Sequence, residues 1–287
     1  MHKLKRIIRD LTLDEERALY NTQDAVIENC VFAGPADGES ALKECRSIDV
    51  KNCRFSLRYP LWHTQDFTVE NSSMDELTRA AVWYAENGVI KNSTLDGIKV
   101  LRECRNITLD GVKAHSPEML WRCSGINIKD SEIESQYFMF ECRDITIDGL
   151  KMTGKYSFQY TENAVVENSV FDTKDAFWHC RNVTVKNSVI KGEYLAWYCD
   201  GLTLIDCKII GTQPLCYCRN LKLINCSFED ADLAFEYSEV EAEITGSIDS
   251  VKNPKSGFIT ADGIGEIILE DSVVECSCNI TVKNRES

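Results

Sequence analysis

No run of 18 apolar residues occurs in this chain of 287 residues, so no membrane-spanning helix is expected. Positive charge is in short supply. Lys and Arg number 32 against 46 Asp and Glu, a net charge of −14, and that excludes a nucleic acid as the main partner, because phosphate binding needs a basic face. The opening stretch MHKLKRIIRDLTLDEERALY has no signal-peptide apolar core, which makes a cytoplasmic location the expectation. There is no linker and no low-complexity tract, so one repeat-built domain is expected. The closely spaced pairs Cys216/Cys218 and Cys276/Cys278 have no Cys or His pair nearby at metal-binding spacing, so neither a metal site nor a cofactor is expected.

What the chain does have is a repeat. CRNVTVKNSVIKGEYLAWY (180–198) is one copy of a unit that recurs along most of the sequence, and a fixed period decides the fold before any other feature. Each copy has an anchor where a short hydrophobic run ends: Asn29, Asn52, Asn71, Asn92, Gly111, Asp130, Gly149, Asn168, Asn187, Asp206, Asn225, Gly246 and Asp271. From Gly111 to Asn225 every step is 19 residues. Only Asn, Asp and Gly stand there, the residue types that tolerate a left-handed backbone, so each anchor marks a tight bend. Before the bend, apolar residues alternate with polar ones, as in Ile107/Leu109, Ile126/Ile128 and Val183/Val185. That period of two predicts a strand with one buried face. An apolar residue three places after the bend (Phe55, Leu95, Ile133, Ile190) predicts a second strand, and LAWY (195–198) with its counterparts a third. Three short strands per coil predict an all-β, single-stranded right-handed parallel β-helix, a solenoid of about 13 coils of 19–25 residues.

Charge supports stacking in register. The residue before the bend runs Glu28, Lys51, Glu70, Lys91, Asp110, Lys129, Asp148, Glu167, Lys186, changing sign at every step but Asp148 to Glu167. Opposite charges attract across neighbouring strands, and independent surface charges have no reason to alternate. Leucine-rich, hexapeptide and pentapeptide repeats do not match the length or pattern. Of the 14 cysteines, Cys45, Cys104, Cys123, Cys142, Cys180, Cys199 and Cys218 lie seven residues before a bend, where other coils carry Thr22, Thr64, Thr161 and Ala85. This is a column of small interior side chains in a reducing compartment, not a disulfide framework.

Residues 1–20 are expected to form an N-terminal cap, with a short helix over LDEERALY (13–20). Residues 21–287 form the β-helix, irregular from about 239, with extra loops at GPADGE (34–39) and SVKNPKSGF (250–258) and a closing strand in NITVKN (279–284).

The third segment of each coil is the unusual one. Two residues before the small column come all five tryptophans, Trp62, Trp83, Trp121, Trp178 and Trp197. One residue before it come His63, Tyr84, Glu103, Arg122, Glu141, Tyr160, His179 and Tyr198, and five before it Tyr59, Tyr137, Tyr156, Asp175 and Tyr194. Strand alternation places the tryptophans inside, in phase with the small column; the alternative is an exposed tryptophan stripe. These thirteen non-tryptophan residues are the candidate ligand-binding set, because a long aromatic face is normally explained by a partner.

The small column, the Asn ladder at the bend and the variable loop before the aromatic strand resemble the pectate-lyase-type β-helix. The resemblance implies that RYPLWH (58–63), GKYSFQY (154–160), TKDAFWH (173–179) and GEYLAWY (192–198) build a polysaccharide groove. The family's paired-Asp motif and its calcium-binding Asp cluster with a basic lyase residue have no counterpart here. ESALKE (39–44), RYPLWH, TKDAFWH, GTQPLCYC (211–218) and DLAFEYS (232–238) are also similar to an uncharacterised family of bacterial β-helix proteins.

Among these residues, Glu103, Arg122 and Glu141 read as a salt-bridge ladder, since Arg122 between two carboxylates keeps both ionised; the competing reading is a glycosidase acid pair. His63 and His179 lie six coils apart and cannot share a site. Asp175 and His179 are roughly 13 Å apart along a strand, too far for a dyad. The expectation is a binding protein whose aromatic, mixed-charge face takes a carbohydrate or a protein, without nucleic acid or membrane. The alternatives are a scaffold or oligomerisation protein and a polysaccharide-active enzyme.

Overall fold

In the computed structural model, residues 5–34 and 39–283 are described. Most of the expected loop at 34–39, the first four residues of the expected cap and Asn284 lie outside them. The chain forms two compact units, Met1–Thr146 and Ile147–Ser287, and each is a parallel β-solenoid.

In the first unit the long strands Gln23–Glu28, Arg46–Lys51, Gln65–Glu70, Glu86–Lys91, Arg105–Asp110 and Ser124–Lys129 stack in parallel register. The register sets Glu28 opposite Lys51, Lys51 opposite Glu70, Glu70 opposite Lys91 and Asp110 opposite Lys129, as the charge alternation predicts. Ile48, Val50, Val69, Ile107, Leu109 and Ile128 point inward and are fully buried. A second stack of shorter strands includes Arg54–Ser56, Ser73–Met74 and Thr94–Leu95. Phe32 and Phe55 stack inside it with centroids 4.7 Å apart.

The second unit repeats this plan with Glu162–Glu167, Arg181–Lys186, Asp200–Ile205 and Leu221–Glu229. Its core includes Phe158 stacked on Phe177 with centroids 4.5 Å apart and planes nearly parallel. The anchors Asn168, Asn187, Asp206 and Asn225 all have φ near +50°, so the bend is left-handed as its residue types require.

Four expectations need correction. No helix caps the N-terminus among the described residues. Arg6–Arg9 pairs with Ala25–Glu28, Asp10 forms a bend at φ +58°, and the amides of Arg17, Leu19 and Asn21 donate to the carbonyls of Glu39, Ala41 and Lys43 at 2.9 Å. Residues 6–22 are thus a coil, with amides that a helix would have used internally given to the next coil instead.

The third side is a run of turns in many coils, including 174–179 and 194–198. Asp175, Phe177 and His179, then Tyr194, Ala196 and Tyr198, alternate into the left-handed region. Strand logic therefore does not place the side chains. The residue three before the small column fills the core (Leu61, Phe158, Phe177 and Leu215 are buried), the tryptophans are half-buried, and Tyr84, Tyr160 and Tyr198 are exposed. The tryptophans belong neither inside nor on an open stripe.

At the far end, Asp271 holds the expected left-handed backbone at φ +53°, but it is not the bend that stacks on Gly246. Glu239–Ile244 pairs with Ser256–Ala261, and the Asp262 amide donates to Gly246 O at 3.0 Å, so that coil takes 16 residues. Most of the expected loop 250–258 is strand, in Ser247–Lys252 and Ser256–Ala261. Asn279–Val282 is the expected last strand, paired with Phe258–Ala261.

All fourteen cysteines are free thiols. The column also has a bonding role that its small size did not reveal. Cys104, Cys142 and Cys218 donate to the carbonyls of Val82, Leu120 and Ala196 at 3.4, 2.9 and 2.9 Å, and Thr64 and Ser238 do the same to Leu42 and Leu215. Those carbonyls belong to the third-side core residues and lie inside the coil, where an unmet acceptor is costly.

Candidate functional site

The third side of the second unit carries a ring ladder. His179 lies between Tyr160 and Tyr198 with centroids 4.9 and 5.0 Å away and planes within 8°. Tyr217 continues the stack at 4.8 Å and Tyr237 ends it at 5.9 Å, tilted. Register puts one ring on each coil, and stacking at these distances is favourable in itself. The faces are spent on each other, so the ring edges, with their phenol and imidazole polar atoms, meet solvent. Tyr160 and Tyr198 are 48% exposed.

Beside the ladder Glu162 and Arg181 pair at 3.6 Å, and with Tyr160, His179 and Tyr198 they line an open cleft of about 210 Å³. The Tyr217 hydroxyl donates to Glu236 at 3.3 Å, and burial together with that carboxylate pushes its phenol up to about 12. Behind the ladder Trp178 and Trp197 stack at 5.3 Å, donating Nε1–H to the carbonyls of Tyr194 and Gln213. They support the ladder and do not line the cleft.

The other candidates of this unit sit further along the same side. Lys174 lies over the Tyr194 ring at 5.0 Å and pairs with Glu193 at 2.6 Å; Lys155 lies over Tyr156 at 4.8 Å. Asp175 is 7% exposed, and burial raises its carboxyl while Lys174 and Lys155 pull it back.

In the first unit His63 and Tyr84 stack at 5.1 Å, and Tyr59 leans on Trp62 and Trp83. Tyr137 meets Trp121 edge-on. Arg122 Nε donates to Glu141 at 2.7 Å, and Glu141 followed by Glu103 raises the guanidinium further. Arg122 is thus ion-paired with Glu141, while Glu103 acts on it only as a nearby charge, so the expected ladder is formed on one side. His63 and His179 fall in different units.

Glu162 and Arg181 were not among the sequence candidates, although a signal was there. They belong to a column that changes sign as the bend column does: Glu162, Arg181, Asp200, Arg219. Tyr217 and Tyr237 extend the Tyr160–Tyr198 column at the same offset.

Parallel coils stacked in register, with a small interior column and polar ladders at the bends, make this a β-solenoid protein. The chain belongs to the family described as protein of unknown function DUF3737, which matches residues 6–281. No curated protein matches it.

Among solved structures it is similar to the A-module of the mannuronan C-5 epimerase AlgE4 of Azotobacter vinelandii, at 10% identity over 84% of this chain and 91% of that one, TM-score 0.44. It is also similar to PfbA, a surface adhesin of Streptococcus pneumoniae, at 11% identity over 77% and 72%, TM-score 0.38. The catalytic domain of a GH87 alpha-1,3-glucanase follows at 10% identity over 99% and 64%, TM-score 0.37.

Proposed function

We propose that the third side of the second unit binds an extended glycan chain, lying along the Tyr160–His179–Tyr198–Tyr217 ladder with one sugar to a coil. The observation that carries this reading is the ring spacing of 4.9, 5.0 and 4.8 Å, one ring per coil, which is close to the length of a pyranose unit in an extended chain. Phenol hydroxyls both donate and accept, as sugar hydroxyls do. Rings already stacked lose little side-chain freedom on binding, so less of the gross interaction is lost to ordering. A shallow, open cleft flanked by the Glu162–Arg181 pair suits a chain laid across it better than an enclosed small molecule.

The test is calorimetric titration with neutral oligosaccharides of increasing length. Affinity is expected to rise with each added sugar up to the length of the ladder and then level off. Tyr198→Ala, which removes a central ring, should weaken binding about tenfold or more. Absence of saturable binding at millimolar concentration across neutral glycans of several linkages would overturn the proposal.

A further inference from the structure

Lys43, Trp62, Trp83, Arg102 and Trp121 occupy one position in five successive coils of the first unit. Lys43 Nζ stands 4.1 Å from the Trp62 ring centre, Trp62 and Trp83 stack at 5.8 Å, and the Arg102 guanidinium lies 4.6 Å from the ring of Trp121. Trp83 is in register with Trp62 on one side and Arg102 on the other. All five side chains donate hydrogen bonds and none accepts.

Their donors are not used alike. Trp121 gives its Nε1–H to the Tyr137 carbonyl at 3.2 Å, the same arrangement that Trp178 and Trp197 adopt in the second unit. Trp62 Nε1, Trp83 Nε1 and Arg102 Nε are shielded from solvent and have no acceptor among the described residues, although Arg102 Nη2 is paired with Glu118 at 2.7 Å. Buried donors without a partner are rare in folded proteins, and each calls for an explanation. Here three fall on consecutive coils of one column.

We propose that this row recognises oxyanions, sulfate or carboxylate groups carried about one per coil on an extended chain. A neutral hydroxyl would bring its own donor, which no side chain of the row can accept; an oxyanion brings acceptors only. Lys43 at one end of the tryptophan pair supplies positive charge in a chain whose net charge is −14, and Arg102 at the other end, its charge shared with Glu118, offers its Nε–H. Tyr59, half-buried and leaning on both indoles with centroids 5.7 and 5.9 Å away, is the side chain that swings aside to admit the ligand. The row belongs to the first unit, and its chemistry differs from that of the glycan face proposed for the second.

The experiment titrates the full chain with dextran oligomers of one length, unmodified, sulfated and carboxymethylated, following tryptophan fluorescence and heat. The wild type is expected to bind one or both charged oligomers, the better binder identifying the preferred oxyanion. Trp62→Phe and Trp83→Phe keep a ring in the stack but lose the N–H, and each should weaken that binding roughly tenfold or more, the worth of a hydrogen bond to a charged group. Tyr59→Ala should tighten it.

Unchanged affinity in both Phe variants, with only a raised melting temperature, would overturn the proposal and leave the orphaned donors as a packing fault. So would failure of both charged oligomers to bind at millimolar concentration, or equal binding of unmodified dextran that both Phe variants abolish. Loss of charged-oligomer binding in Tyr198→Ala, with both Phe variants unaffected, would move the activity to the second unit, and would equally overturn the assignment.

Discussion

Asn187 donates its side-chain amide to the Asn168 side-chain oxygen at 2.6 Å, and Asn168 in turn donates to Asp148 at 2.7 Å. The same order, an Asp followed by two Asn, recurs as Asp10–Asn29–Asn52 and as Asp66–Asn87–Asn106. An ionised Asp can only accept, so it starts each ladder and every amide after it points the same way. Asn187 also holds φ +47°. Asn187→Ala should lose the amide bond and add left-handed strain, a cost of about 1–2 kcal/mol in urea unfolding. Asn187→Gly should lose less. Equal losses would mean that backbone strain contributes nothing here.

Cys142 offers a test of the interior column. Its thiol donates to Leu120 O at 2.9 Å, as the Thr64 hydroxyl does to Leu42 O at 3.0 Å. Cys142→Ala removes the donor together with the volume of the sulfur, leaving a buried carbonyl unmet, for an expected loss of about 1–3 kcal/mol. Cys142→Ser should recover part of it, which would separate hydrogen bonding from packing by chemical denaturation.

Stability should fall at alkaline pH. Burial pushes the Cys45 and Cys216 thiols up to about 12 and Cys53 to about 11, from an ordinary value of 9.0. A raised value means that the folded state holds the proton more tightly than the unfolded one. The stability these thiols contribute is therefore complete below pH 9 and is lost as pH climbs through 11 to 12. The slope is about 1.4 kcal/mol per thiol per pH unit. Urea midpoints measured under reducing conditions from pH 8 to 11 should decline above pH 9, and a flat profile would contradict the assignment.

Gly88 stands at an inward position between Phe67 and Ile107. A Cβ there would lie 2.1 Å from the Phe67 ring. Gly88→Ala should destabilise by roughly 1–3 kcal/mol through overpacking, and Phe67→Leu in the same chain should relieve part of that loss. A thermal melt of the single and double variants decides it.

Much of the coil was legible in the sequence because its long strands obey a period of two and its bends accept only Asn, Asp or Gly. Ile107, Leu109 and Gly111 announce themselves. The third side was not legible in the same way. Left-handed residues such as Phe177, His179, Ala196 and Tyr198 are held by the neighbouring coils, and their types give no warning of it. Strand periodicity applied to them put the tryptophans inside. The first coil was hidden for another reason. Asp10 lies 19 residues before Asn29, but its flanking strands are short and charged, and LDEERALY mimics a helix start. A second column of left-handed Asn, Asp and Gly, including Asp66, Asn87, Asn106, Gly125 and Asn182, was present at the same period and could have been found by the reasoning that found the first.

The left-handed geometry of the third side has one more effect. Tyr, His, Glu and Arg all stand at the outer position there, at Tyr84, Glu103, Arg122 and His179, with φ between 52° and 55°, so the conformation does not depend on which side chain is presented. The residue behind it fills the interior independently. Recognition chemistry on this side can therefore be rewritten coil by coil, by evolution or by a designer, while the scaffold beneath keeps its shape.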